Sequence, residues 1–190
     1  MPEFGMRYVK CAEYINTAGV ITHGAVKDVG DAMTANLELR FAEARLYAED
    51  QLAEYLRKPL GGSISIGVKY IKDDAKKLMF GVTEKSRTIS SATVKSLLTT
   101  AKDVQKEVAL AFYCPSMVDG AEKYVCVFVH RARFGQPSMT AQTLGESINF
   151  QTPTTTGEFL ADHSSAANLM ETYVADTTAA AEAWIGACLA

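Results

Sequence analysis

The stretch EVALAFYCPSMVDGAEKYVCVFVHRARF, residues 107 to 134, constrains the fold more than any other part of this chain. Asp119-Gly120 is a strong turn signal between two apolar β runs. Pairing residues whose numbers sum to about 240 sets Phe112 against Phe128 and Cys114 against Cys126. Ala109, Ala111, Val125, Val127 and Val129 then form a second apolar face. A hairpin that is apolar on both faces has to lie inside a sandwich, or beneath a helix or another subunit.

The rest of the chain supplies material for such layers. RYVKCAEYI (7–15) reads as a short strand, and ITHGAVKDVGDAM, with Gly24 and Gly30, as a loop. MTANLELRF alternates, with Ala35, Leu37, Leu39 and Phe41 on one side and Thr34, Asn36, Glu38 and Arg40 on the other. GGSISIGVKYI (61–71) sets Ile64, Ile66, Val68 and Tyr70 against Ser63, Ser65 and Gly67. DDAKKLMFG fits a short helix after residue 72, capped by Asp73 or Asp74, anchored by Leu78 and Met79 and ended by Gly81. Residues 82–106 are basic and rich in Ser and Thr, and read as a surface excursion. In TLGESINFQTPTTTGEF (143–159), Leu144, Ile148 and Phe150 alternate with Gly145, Ser147, Asn149 and Gln151. A strand at Glu171–Ala175 leads into a helix from about Thr177, with Ala180, Ala183, Trp184, Ala187 and Cys188 as its apolar stripe. The expected class is α+β, mainly antiparallel β, as one domain over 1–190.

Residues 42–60 are the ambiguous part. Their composition suits a helix, but Pro59 and Gly61-Gly62 would stop it. Helix-like composition between two strands is a local conflict that often marks an element settled by a partner. We therefore expect an arm or hairpin extension here that reaches a neighbouring subunit.

Composition excludes several function classes. The 190 residues are 48% hydrophobic and 22% charged, as in a globular protein. No apolar run approaches the roughly 18 residues needed to span a membrane, and MPEFGMRYVK lacks a signal-peptide core. A net charge of −3 argues against gripping nucleic acid through its phosphates. Charge is nonetheless segregated: 12 Lys/Arg against 7 Asp/Glu from Gly61 to Arg133, then six acids and no Lys or Arg from Phe134 onward. Complementary surfaces of a self-associating protein have this pattern. Cys11, Cys114, Cys126 and Cys188 lack metal-ligand spacing and read as small buried thiols.

No motif announces chemistry. Phosphate-binding and dinucleotide loops, zinc-protease helices and nucleophile elbows are all missing. His23, His130 and His163 stand far apart, and Asp73-Asp74 is better explained as a helix start than as a metal pair. Arg131 and Arg133 share a strand face, where a salt bridge is the plain reading. The sequence asks for no cofactor and points to a structural protein, not an enzyme.

Three stretches, EARLYAEDQLAEY (43–55), GGSISIGVKYI (61–71) with its following helix, and LAFYCPSMVDGAEKYVCVFVHRARFGQPSMTAQTLGESINFQTPTTTGEF (110–159), together resemble the major tail proteins of long-tailed, non-contractile phages. More narrowly, they resemble the type found in phages and prophages of Gram-positive bacteria. The ending YVADTTAAAEAWI is similar to that family's closing strand and helix. The resemblance covers about two thirds of the chain in order, with GESINFQTP its most specific part and residues 82–106 outside it.

The family implies a β-sandwich or barrel tail-tube subunit, in hexameric rings stacked around a tape-measure protein. Tail-tip or baseplate and tail-terminator proteins close the ends, and double-stranded DNA passes through without sequence-specific binding. The location would be a virion tail assembled in the host cytoplasm, away from membranes. Six subunits lending four strands each, at ~4.8 Å spacing and ~40° tilt, give a backbone diameter of roughly 48 Å. With ~5 Å of side chain per wall the bore is roughly 38 Å, ample for duplex DNA. A wall that DNA slides past should carry neither unpaired cations nor apolar surface. Thr34, Asn36, Glu38, Ser63, Ser65, Ser147, Asn149 and Gln151 are the candidate lumen-facing residues. Arg40 and Lys69 interrupt that pattern unless acids pair with them. The subunit-interface candidates are Leu46, Tyr47, Glu49, Asp50, Leu52, Tyr55, Arg131 and Arg133, with the N-terminal arm (1–15) and residues 82–106 as further contacts. Two other readings stand beside this one: the tube protein of a genome-free tail-like particle, and a small-molecule-binding β-barrel using Tyr113, Phe128 and Trp184.

Overall fold

The computed structural model describes residues 5–48, 51–118, 120–138 and 152–190. In chain order its elements are β1 (Arg7–Thr17), β2 (Val20–His23), β3 (Lys27–Gly30), β4 (Ala32–Ala48), β5 (Gln51–Val68), α1 (Asp73–Phe80), β6 (Thr83–Ile89) and β7 (Ala92–Leu98). There follow β8 (Glu107–Val118), β9 (Ala121–Phe134), β10 (Thr154–Leu160), β11 (Met170–Ala175) and α2 (Thr178–Cys188). The main sheet runs β2-β1-β8-β9-β10-β5-β4, with β3 also on β1 and β11 also on β9. Its pairings are antiparallel, so the class is α+β with antiparallel sheet dominant. The β6–β7 pair is a separate two-stranded sheet.

The two-faced hairpin, β8–β9, sits at the centre of the sheet and separates two cores. On one face Val9, Val29, Ile64, Ile66, Val68, Leu110 and Phe159 pack with Ala75, Met79 and Phe80 of α1. On the other, Ala109, Ala111, Tyr113, Cys126 and Phe128 lie under Ala181, Ile185 and Leu189 at the α2 end. The sheet curls around the first core: Lys69 N donates to Asp31 O (2.8 Å) and Lys72 N to Val29 O (2.9 Å). These bonds tie the end of β5 to the β3–β4 junction.

The hairpin register differs from the sequence expectation by one residue. Val118 pairs with Ala121, Phe112 with Val127 and Cys114 with Val125. A two-residue connection forces an odd sum, and a one-residue slip exchanges the faces of a strand. Phe112 and Cys114 therefore belong to the first core, and Cys126 and Phe128 to the second. Cys114 and Cys126 are not the facing thiols expected.

Other corrections are local. The segment read as a loop at 21–33 holds β2 and β3, short edge pairs on β1 that carry little hydrophobic alternation. The α1 cap position is Lys72, without a side-chain cap; Asp73 and Asp74 lie in the first turn and pair with Lys76 and Lys77. Gly81 ends α1 in the left-handed conformation (φ 72°). In α2, Thr177 Oγ1 accepts from Ala180 N, as the sequence allows. The fully buried stripe is Ala181, Ile185 and Leu189; of the expected stripe Ala180, Trp184 and Cys188 pack beside it, half-buried, while Ala183 and Ala187 are exposed. Burying the larger Ile and Leu side chains outweighs burying alanines, which rotates the helix by one position.

Candidate assembly surfaces

The helix-like segment is strand over its described residues, 42–48 and 51–60. Beyond the pair Arg40–Gly61, β4 and β5 leave the body as a two-stranded ribbon, from Phe41–Pro59 to Ala48–Gln51. Eight residues of β4 facing nine of β5, at ~3.3 Å per residue, make it roughly 26 Å long. Gly61-Gly62 does not stop the strand; it is where β5 passes from body to ribbon. An added Cβ at Gly62 would collide with the Glu38 carbonyl oxygen and lie 2.5 Å from the Phe159 ring. Along one ribbon face Arg57 covers Phe41 (3.9 Å to the ring centroid), Arg45 covers Tyr55 (5.5 Å), and Glu43 bridges both arginines. Leu46, Tyr47, Leu52 and Tyr55 are 48–62% exposed. Glu49 and Asp50, assigned to the same surface from sequence, lie outside the described residues.

The body halves of the same strands form a different surface. Cross-strand pairs share a face. On one face of β4, β5 and β10 the rows run Thr34–Gly67–Thr154, Asn36–Ser65–Thr156 and Glu38–Ser63–Glu158. The last row continues through Arg133 of β9 to Glu107 of β8. All five described lumen candidates, Thr34, Asn36, Glu38, Ser63 and Ser65, thus fall on one continuous polar face. Its reverse side carries Ile64, Ile66 and Phe159 into the core. Ser147, Asn149 and Gln151 lie outside the described residues.

The cations on this face are paired. Arg40 Nη2 lies 2.6 Å from Glu158 Oε1, and Arg133 Nη2 donates to Glu107 Oε1 at 3.0 Å. Arg131 makes a bidentate bond to Glu107 (2.8 and 2.7 Å) and a third to the Ala161 carbonyl. That bond from Arg131 holds the Glu107 carboxyl below its ordinary range against the opposing effect of burial. Lys69 stands 4.0 Å from Asp31. The objection that Arg40 and Lys69 interrupt the face is therefore met within the chain. Arg131 and Arg133, proposed from sequence as interface residues, spend their charge on Glu107.

Sequence reading missed Thr154, Thr156 and Glu158. The signal was present: in TTTGEF these residues alternate with Thr155, Gly157 and Phe159, of which Thr155 and Phe159 are buried. Thr155 is polar and buried because its hydroxyl donates to the Gly135 carbonyl (2.7 Å).

Among the described residues, no group of three or more His, Cys, Asp or Glu side chains is placed to hold a metal ion. Burial pushes the thiols of Cys11, Cys126 and Cys188 up, to about 12, 11 and 11. Unactivated thiols of this kind are poor nucleophiles. Tyr113 and Phe128 belong to the packed core under α2, and Trp184 stacks on Tyr173 (centroids 5.6 Å apart). An open cleft of about 830 Å³ lies elsewhere, between Tyr70, Phe80, Val82 and Leu97. No described helix is long and apolar enough to cross a membrane. Compared with models of protein families and with proteins of known role, the chain matches none.

Proposed function

We propose that this chain is the structural subunit of a phage tail tube, self-associating into rings, hexameric by the resemblance, that stack into a conduit for DNA. The observation that carries the reading is the continuous face of Thr34, Asn36, Ser63, Ser65, Thr154 and Thr156, bordered by cations that are all ion-paired. Small neutral side chains hold water without binding phosphate, and Glu38, Glu107 and Glu158 balance the charges of Arg40, Arg131 and Arg133. An ordinary solvated sheet face carries scattered unpaired Lys and Glu instead.

On this reading the polar face lines the bore and the β4–β5 ribbon reaches an adjacent subunit. The tape-measure protein occupies the bore during assembly, with tail-tip and terminator proteins at the ends. The location is the virion tail, assembled in the host cytoplasm. The same geometry serves a genome-free tail-like particle, which the genes beside this one would distinguish. Replacing Ser65 and Thr156 with Lys tests the reading. Tubes should still assemble while DNA delivery falls at least tenfold. Undiminished infectivity would remove this face from the bore.

A further inference from the structure

The β6–β7 hairpin has no role in either core beyond Leu97, and no strand of the main sheet pairs with it. An isolated two-stranded hairpin is marginal in water. Its cross-strand pairs sort its side chains into two faces. The inner face holds Leu97 and also Glu84, which bridges Lys77 of α1 (2.7 Å) and Lys95 (2.8 Å). Its outer face carries Lys85, Arg87, Ile89, Val94 and Leu98, all exposed, and no acid. Neither Lys85 nor Arg87 has an acidic partner among the described residues.

An opposite surface lies across the molecule. Glu171 of β11, Asp176 between β11 and α2, and Glu182 of α2 border the exposed Tyr173 and the half-buried Trp184. The chain from Phe134 onward offers no Lys or Arg to neutralise them. From other elements, Lys123 pairs with Asp176, and His130 Nε2 stands 3.0 Å from Glu171. Arg7 lies close enough to influence Tyr113, as does Glu182. Even so, the three acids outnumber the two permanent cations, Lys123 and Arg7, and an aromatic pair sits among them to receive apolar side chains.

We infer that the outer face of the β6–β7 hairpin docks on the β11–α2 surface of a second copy of this chain. The hairpin packs on the α1 side of the sheet, whereas α2 covers the other side. Because donor and acceptor face opposite sides of the sheet, the contact is head-to-tail. Contacts of that kind close into rings or propagate as filaments. This rests on the self-assembly reading above and assigns it a second contact, separate from the β4–β5 ribbon.

The hairpin face is only roughly 24 Å by 10 Å, so a single contact is weak. The test is zero-length carbodiimide cross-linking of a 1:1 mixture of ¹⁴N and ¹⁵N protein at high concentration, analysed by mass spectrometry. Mixed-isotope links from Lys85 to Glu171, Asp176 or Glu182 are expected. They should fall severalfold between 50 and 500 mM salt, as screening requires, and vanish in the pair K85E/R87E. Lys85 linking only within its own chain, or chiefly to Glu43 or Glu54 of the ribbon, would overturn the inference. Electron microscopy of the same samples separates the two claims. Rings formed with no Lys85 link leave the tube reading standing and sink this contact. Mixed-isotope links without rings sink the tube reading and leave the contact.

Discussion

Strands β4 and β5 each live in two environments. In the body half, Ile64, Ile66 and Val68 are buried on one face while Ser63 and Ser65 meet solvent on the other. In the ribbon half every described side chain of 41–47 and 51–60 is exposed. The first half is fixed by burial, at roughly 25 cal/mol per Å² of apolar surface. The second is held by its ladder, its arginine–aromatic contacts and surface ion pairs, each contributing little alone. The same backbone geometry thus serves stability in one half and leaves apolar side chains available for a partner in the other.

Four variants would break or sharpen that contrast, from the largest effect on stability to the smallest. Phe159→Ala empties the body core beneath the polar face and should cost about 4 kcal/mol in denaturant unfolding. Gly62→Val forces a side chain against the Glu38 carbonyl and the Phe159 ring, and should cost about 3 kcal/mol. Either variant unfolding like the wild type would show that the body half is not where the ribbon is anchored.

Glu107→Gln removes the charge and one of the two acceptor oxygens that Arg131 and Arg133 share, and should cost about 1.5 kcal/mol at neutral pH. Because the folded carboxyl titrates below its ordinary value of 4.5, its contribution is full above that value and is lost as the pH falls through the lower, folded one. The melting-temperature gap between Glu107→Gln and wild type should therefore narrow below about pH 4.5. A gap that widens on acidification would reverse the sign of this argument. The ribbon pair L46S/Y55S should change stability by less than about 0.5 kcal/mol yet abolish self-association, read by sedimentation. Loss of folding, or undisturbed association, would end the distinction between the two halves.

The sequence exposed what alternates. Thr34 to Glu38, Ser63 and Ser65 could be assigned to one face because their neighbours Leu37, Ile64 and Ile66 mark the other. The ribbon was harder, since Ala, Glu, Leu and Arg at 42–57 favour helix locally; strand pairing overrides that preference. The hairpin register failed by one residue for a countable reason, the length of the turn. Thr154, Thr156 and Glu158 were passed over because a run of threonines hides its own periodicity until the buried Thr155 is known to bond Gly135. The ion pairs of Arg40 with Glu158 and Arg131 with Glu107 join residues 118 and 24 positions apart, beyond the reach of local pattern.

The most direct test of the central claim is electron microscopy of the purified protein over a concentration series, repeated with the tail-tip protein that the proposed function implies as nucleus. The account predicts hollow rings or tubes with a bore of roughly 38 Å, lined in averaged maps by Ser63, Ser65 and Thr156. Small particles at every concentration even with the nucleus present, or tubes that turn this face outward, would contradict it.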